Sequence, residues 1–346
     1  MTSCTHPYDH PHPALTRPEQ GRPVVENHKT RSFAGDRRIF YLCPDTQIQS
    51  AGIRRLYRHV AILKKNGFHA QILHLQAGFL REDLPAVPVR YLERTRFTAG
   101  DIIVIPEGCP ALMQALKDQP ARRFAIALNW DYVFKNLKPG SNWNSFNIER
   151  IMTVSAPIAE MIAWSMDLPT HVLASSIDGE LYYVDPNAKL PHVVYIARKG
   201  AHAECLKRIL VSRNPSIHNN FKWIGLHGLS EALYAGEIRR AALFLNLSTA
   251  EGFPTSCLEA MASGTLVAGY SSMGQGSLLH GEGPGQNAVL APIGDYISLA
   301  RTLDTLLSGM AAGRNQEWHR ILSNGKRTVE GLTPEAEKRD LIRFWS

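Results

Sequence analysis

Glu251 and Glu259 stand in the stretch of this chain whose residue types and order do most to suggest chemistry. Residues 243–270 read Leu-Phe-Leu-Asn-Leu-Ser-Thr-Ala-Glu-Gly-Phe-Pro-Thr-Ser-Cys-Leu-Glu-Ala-Met-Ala-Ser-Gly-Thr-Leu-Val-Ala-Gly-Tyr. The apolar run at 243–247 predicts a buried strand and the Gly/Pro segment after it a loop. A helix begins at Thr255 or Ser256, Gly264 ends it, and a second strand opens at Leu266. Glu251 then lies on a loop at the carboxyl end of a strand and Glu259 in the first turns of the helix, so both face the mouth of the sheet. Backbone N–H groups around Phe253, Pro254 and Thr255, with the open helix N-terminus, make an anion site. Gly252 leaves out a side chain where a ligand would approach. A carboxylate only accepts hydrogen bonds, so two of them beside an anion site suit a ligand with both phosphates and hydroxyls, a sugar nucleotide. A helix start capped by Thr or Ser uses the same dipole but leaves the rest of the string unexplained.

The elements that must position these residues recur along the chain. From residue 37 the pattern predicts strands at 39–43, 70–75, 101–105, 124–128 and 151–155, with helices at 52–66, 109–118 and 157–167. It restarts after a loop-like stretch at 174–191. Strands follow at 193–197, 221–225, 242–247, 266–269 and 289–291, with helices at 202–212, 230–240, 256–263, after 275, 294–308, 315–330 and 334–346. Such alternation predicts an α/β protein of two Rossmann-like, doubly wound units facing a central cleft, with ligands beyond the carboxyl ends of the strands. The expected organisation is a flexible Pro/His-rich tail over 1–35, a first Rossmann-like domain over 36–172 and a second over 173–332. A last helix over 333–346 packs back on the first domain.

The chain has 346 residues and a formal charge of +7, from 38 Lys and Arg against 31 Asp and Glu. Residues 1–170 carry 21 basic and 15 acidic residues, so nearly all the surplus sits in the first half. Part of it lies at 52–66, where Arg54, Arg55, Arg58, Lys64 and Lys65 alternate with apolar residues at helical spacing. That helix reads either as a solvated face or as a surface for anionic lipid, which would place the protein peripherally on the inner membrane surface. No nucleic-acid motif accompanies the charge, and nucleic acid is not expected as a partner. Five scattered Cys without a CxxC pair, together with the lack of a secretory h-region or a long apolar run, fit a cytoplasmic protein.

The string from Glu251 to Glu259, extended by Ala-Met-Ala-Ser-Gly over 260–264, resembles the Glu-x7-Glu motif of retaining glycosyltransferases with the GT-B fold. The chain looks like family 4 of these enzymes, the glycosyl transferases group 1 set, over essentially all of its second half and more faintly in its first. The resemblance implies that Glu251 contacts hydroxyls of the transferred sugar and that Glu259 holds the nucleotide ribose. It implies that Gly252, Phe253, Pro254 and Thr255 line the sugar and phosphate. Arg198 and Lys199, at the end of the 193–197 strand, match an Arg and a Lys that grip the donor diphosphate. Relatives space that pair apart and here it is adjacent, which leaves open which one grips; Arg198 is favoured. Gly52, in Ala51-Gly52, matches one glycine of a Gly-Gly pair near the donor phosphate, and Gly274-Gln275-Gly276 matches a Gly-rich loop near the sugar.

Glu107, Asn129, Trp130 and Asp131 follow strands of the first half and are expected to line the acceptor side. The resemblance implies transfer of a hexose-like unit from a nucleotide-diphosphate donor, with retention at the anomeric carbon, to a glycan, lipid-linked or other small-molecule acceptor. Neither metal nor cofactor is expected. Arg198, Lys199 and the helix dipole can neutralise the leaving group, and the sequence holds no Asp-x-Asp pair. The alternatives are another sugar-nucleotide enzyme of the same fold, such as an epimerase or phosphorylase, or a sugar-nucleotide-binding protein without turnover.

Overall fold

The computed structural model describes residues 37–48, 50–271 and 278–346. The Pro/His-rich segment 1–35 and the Gly274-Gln275-Gly276 turn lie outside the described residues. No helix expected after 275 forms within 278–288.

The first sheet is built from β1 (Arg38–Leu42), β2 (His69–His74), β3 (Val89–Tyr91), β4 (Ile102–Pro106), β5 (Arg122–Ala127), β6 (Ile148–Thr153) and β7 (Thr170–Val172). All pairings are parallel, in the order β3-β2-β1-β4-β5-β6-β7. The central strand β4, Ile-Ile-Val-Ile-Pro, is buried throughout, as a parallel strand covered on both faces requires. The helix α1 (Ala51–Lys65) starts where Ser50 Oγ accepts the Ile53 N–H at 3.2 Å, and Lys64 and Lys65 sit in its last turn. Further helices are α2 (Pro110–Ala115), α3 (Trp130–Phe134) and α4 (Ala156–Met166). Apolar clusters fill both faces of this sheet.

The second sheet has the parallel strands β8 (Leu190–Ile196), β9 (Lys222–Leu226), β10 (Ala241–Asn246), β11 (Leu266–Tyr270) and β12 (Val289–Ala291), ordered β12-β11-β10-β8-β9. Its order reverses between β8 and β10, the switch point where ligands sit in open α/β sheets. Around it lie α5 (Ala203–Arg213), α6 (Pro215–His218), α7 (Glu231–Arg240), α8 (Thr255–Ala262), α9 (Tyr296–Ala311) and α10 (His319–Val329). No helix among the described residues is long and apolar enough to cross a membrane.

The last helix, α11 (Pro334–Trp345), lies against the first sheet: Leu341, Phe344 and Trp345 join its core, and Trp345 stacks on Phe124 with ring centroids 5.6 Å apart. Glu337 on α11 is 1% exposed and meets Arg58 Nε at 3.0 Å, His59 Nε2 at 3.5 Å and the Ser176 hydroxyl. Burial alone would raise its carboxyl. His59, Arg58 and Arg55 outweigh that and hold it well below the usual carboxylate range. Glu337→Ala is therefore expected to cost about 3 kcal/mol, because it leaves the buried Arg55 and its neighbour Arg58 without their carboxylate. Thermal unfolding would register this as a lower Tm at neutral pH. Since the folded-state pKa is depressed, the contribution is present above the ordinary carboxylate range and is lost as pH falls below it.

These contacts bear on both readings of the basic helix at 52–66, a solvated face and a surface for anionic lipid. Arg54 pairs with two carboxylates of the second half, Arg55 is buried over the Phe253 ring at 5.7 Å, and Arg58 pairs with Glu337. The helical spacing is right, but the arginine face meets protein. Two arginines of the first half, Arg54 and Arg58, are thus answered by carboxylates from beyond residue 172.

Candidate active site

The strand β8 ends in a short 3-10 turn over Ala197–Lys199, which brings Lys199 to the carboxyl edge of the second sheet. Gly200 permits the turn, since a Cβ there would lie 2.4 Å from Cδ2 of Tyr195. The strand β10 leads through residues 247–254 into α8. Between them opens a cleft lined by Lys199, Asn246, Ser248, Glu251, Ser256 and Cys257 among others. Lys199 and Glu251 form an ion pair across it, both partly buried. Burial, and then the neighbouring Arg198, push the Lys199 ammonium down to about 8. Arg198 itself is exposed. The adjacent pair thus divides, one cation in the cleft and one at its margin. Cys257 is buried at the start of α8 and burial pushes its thiol up to about 12, so it is no nucleophile at neutral pH.

Glu259 is 3% exposed on α8. Burial raises its carboxyl while Arg54 pulls the other way. Arg54 reaches from α1 in the first half, its Nη2 3.7 Å from Glu259 Oε1 and its Nη1 3.1 Å from Glu231 Oε1. Tyr182 and Tyr234 stand beside the same carboxylate, and the Tyr234 hydroxyl donates to Ser256 Oγ at 3.0 Å. This surround of Arg54, Glu231, Tyr182 and Tyr234 is absent from the sequence-derived site. The one local signal was Arg54 lying two positions beyond Gly52.

Two expectations for the loop need correction. Pro254 has no N–H, and the Thr255 N–H bonds to the Phe253 carbonyl at 2.9 Å, so neither offers a free donor. The free amides at the start of α8 are those of Ser256 and Cys257, which line the cleft. Gly252 is also required for another reason. A Cβ there would come 2.0 Å from the Leu128 carbonyl oxygen and 2.8 Å from Asn129 Cα, so the glycine lets the loop close on the first domain. Phe253 packs its ring against apolar clusters of both halves. Gly52, near the start of α1, faces the Leu128 side chain, which a Cβ would meet at 3.3 Å.

In the first half, the Glu107 carboxylate accepts the Asn129 N–H at 3.0 Å, and Asn129 Nδ2 donates to the Ala250 carbonyl at 3.2 Å. Trp130 packs into the first core and Asp131 is exposed. Among the described residues no group of three or more His, Cys, Asp and Glu is placed to hold a metal ion.

Residues 187–309 match the family model described as "Glycosyl transferases group 1". An alpha-1,6-glucosyltransferase of Actinobacillus pleuropneumoniae serotype 7 (strain AP76) is 26% identical over 229 residues, covering 62% of this chain and 66% of that protein, just under two thirds of its length. Among solved structures, Anabaena Alr3699/HepE in complex with UDP and glucose aligns with a TM-score of 0.65 at 16% identity, over 89% of this chain and 98% of its own. A glycosyltransferase from Rickettsia africae ESF-5 aligns with a TM-score of 0.64 at 14% identity, over 90% and 98%. The chain therefore has the GT-B fold, and residues 187–309 of its second half resemble a group 1 glycosyltransferase domain.

Proposed function

We propose that this protein is a retaining glycosyltransferase that moves a hexosyl unit from a UDP-sugar to a hydroxyl of a glycan, lipid-linked or other small-molecule acceptor. The observation that carries the reading is the convergence of Lys199, Glu251 and the α8 N-terminus on one cleft at the switch point of the second sheet, with Glu259 behind it. The diphosphate lies on Lys199, Arg198 and the free α8 amides, where positive charge meets the charge that builds on the leaving group. Glu259 takes the ribose hydroxyls and Glu251 faces the sugar. The UDP and glucose bound by Alr3699/HepE, and the glucosyl transfer in the name of the Actinobacillus relative, make UDP-glucose the first donor to test.

The fixed cations take the place of a metal at the leaving group, so turnover is expected to survive a chelator. Incubation with UDP-glucose and an acceptor panel, followed by NMR, should show free UDP and an α-linked product, with or without EDTA. An epimerised nucleotide sugar would point to an epimerase, and sugar 1-phosphate released from a glycan when inorganic phosphate is added would point to a phosphorylase. Donor binding without any turnover would favour a binding protein.

A further inference from the structure

We propose that Glu107 is a positioning residue that sets the Glu251 loop from the opposite half of the protein, acting through Asn129. The proposal rests on Glu251 being the residue at the reacting sugar. Glu107 follows β4 and Asn129 follows β5, the neighbouring strand of the first sheet. The Asn129 N–H donates to Glu107 Oε1 at 3.0 Å. Both ends of the Asn129 amide are used: Oδ1 accepts the Asp131 N–H at 3.1 Å, and Nδ2 donates to the Ala250 carbonyl at 3.2 Å. On the other side of Glu251, Gly252 is seated against the Leu128 carbonyl and Asn129 Cα. Glu251 thus projects from a loop gripped at 250 and at 252 by one dipeptide, Leu128-Asn129, and Glu107 holds the backbone of that dipeptide.

Glu107 Oε2 is sealed from solvent and has no hydrogen-bond partner among the described residues. Burial pushes the carboxyl up to about 7, with the N–H groups of Leu128, Asn129 and its own residue pulling the other way. Cys109 is the titratable neighbour that feels its charge; burial pushes that thiol up to about 11, so it stays neutral through this range. No ion-pair partner for Glu107 occurs among the described residues. Above about 7 the carboxylate makes a charge-assisted bond to Asn129. As pH falls through that value the neutral carboxyl accepts more weakly and the grip on the loop loosens.

The test compares Glu107→Gln, Glu107→Ala and Asn129→Ala with wild type, after thermal unfolding shows that each is folded. Hydrogen–deuterium exchange of residues 248–254 should be faster in both alanine variants. Transfer should show kcat reduced by roughly tenfold to a hundredfold with donor KM unchanged, as expected for a misplaced reacting group. The wild-type rate should climb with pH through about 7, and the Glu107→Gln rate should not. Wild-type loop protection in the alanine variants, the same pH limb in Glu107→Gln, or a raised donor KM with intact kcat would each overturn the proposal. The exchange measurement needs no turnover. Absence of transfer by wild type would therefore count against the functional reading and leave the loop coupling separately readable.

Discussion

Glu251→Ala is expected to lower sugar transfer by at least about a hundredfold while UDP binding stays within about threefold of wild type. Glu251 stands on the loop between β10 and α8 and is tied to Lys199, which shares the cleft with the free amides of α8. In the proposed mechanism it contacts the sugar as the glycosidic bond lengthens, so its removal acts on the transition state far more than on the bound nucleotide. Lys199 loses one counter-charge in the variant, and a bound diphosphate supplies another. Initial rates at saturating donor, beside calorimetric titration with UDP, separate the two effects. Equal losses in rate and in UDP affinity would assign Glu251 to nucleotide binding.

Glu259→Ala should do the reverse, weakening UDP by roughly tenfold to a hundredfold, the effect of losing hydrogen bonds to a charged acceptor. Before donor binds, that carboxylate already answers Arg54 of the first half. The ribose must share Glu259 with Arg54 or displace it, and Arg54 keeps Glu231 at 3.1 Å in either case. Loss of Glu259 therefore also weakens the contact between the halves, and a lower Tm in the donor-free variant should accompany the loss of affinity. Unchanged UDP affinity would remove the ribose assignment.

The sheets were legible in the sequence because buried parallel strands are continuous apolar runs, and 289–291 was placed to the residue. The strands β3 and β7 were not. Each has three residues, follows a proline and lies at a sheet edge, too short for any periodicity to show. The placement of Glu251 on the loop after β10, Glu259 on α8 and Lys199 at the end of β8 was legible because each is set by its own local segment. Arg54 with Glu259, Arg58 with Glu337 and Gly252 on Leu128 were not, because each joins segments more than a hundred residues apart. On a helical projection an arginine face turned to another domain looks the same as one turned to water. The charge of the 52–66 helix misled for that reason: Arg54 and Arg58 are spent on carboxylates of the second half and of α11.

The most direct test of the central claim is a crystal structure of the protein with UDP-glucose. The expected density places the diphosphate at Lys199 and the Ser256 and Cys257 amides, the ribose hydroxyls on Glu259, and the glucosyl ring against Glu251. A nucleotide bound elsewhere, or bound in the cleft with its ribose away from Glu259 and its sugar away from Glu251, would contradict the account.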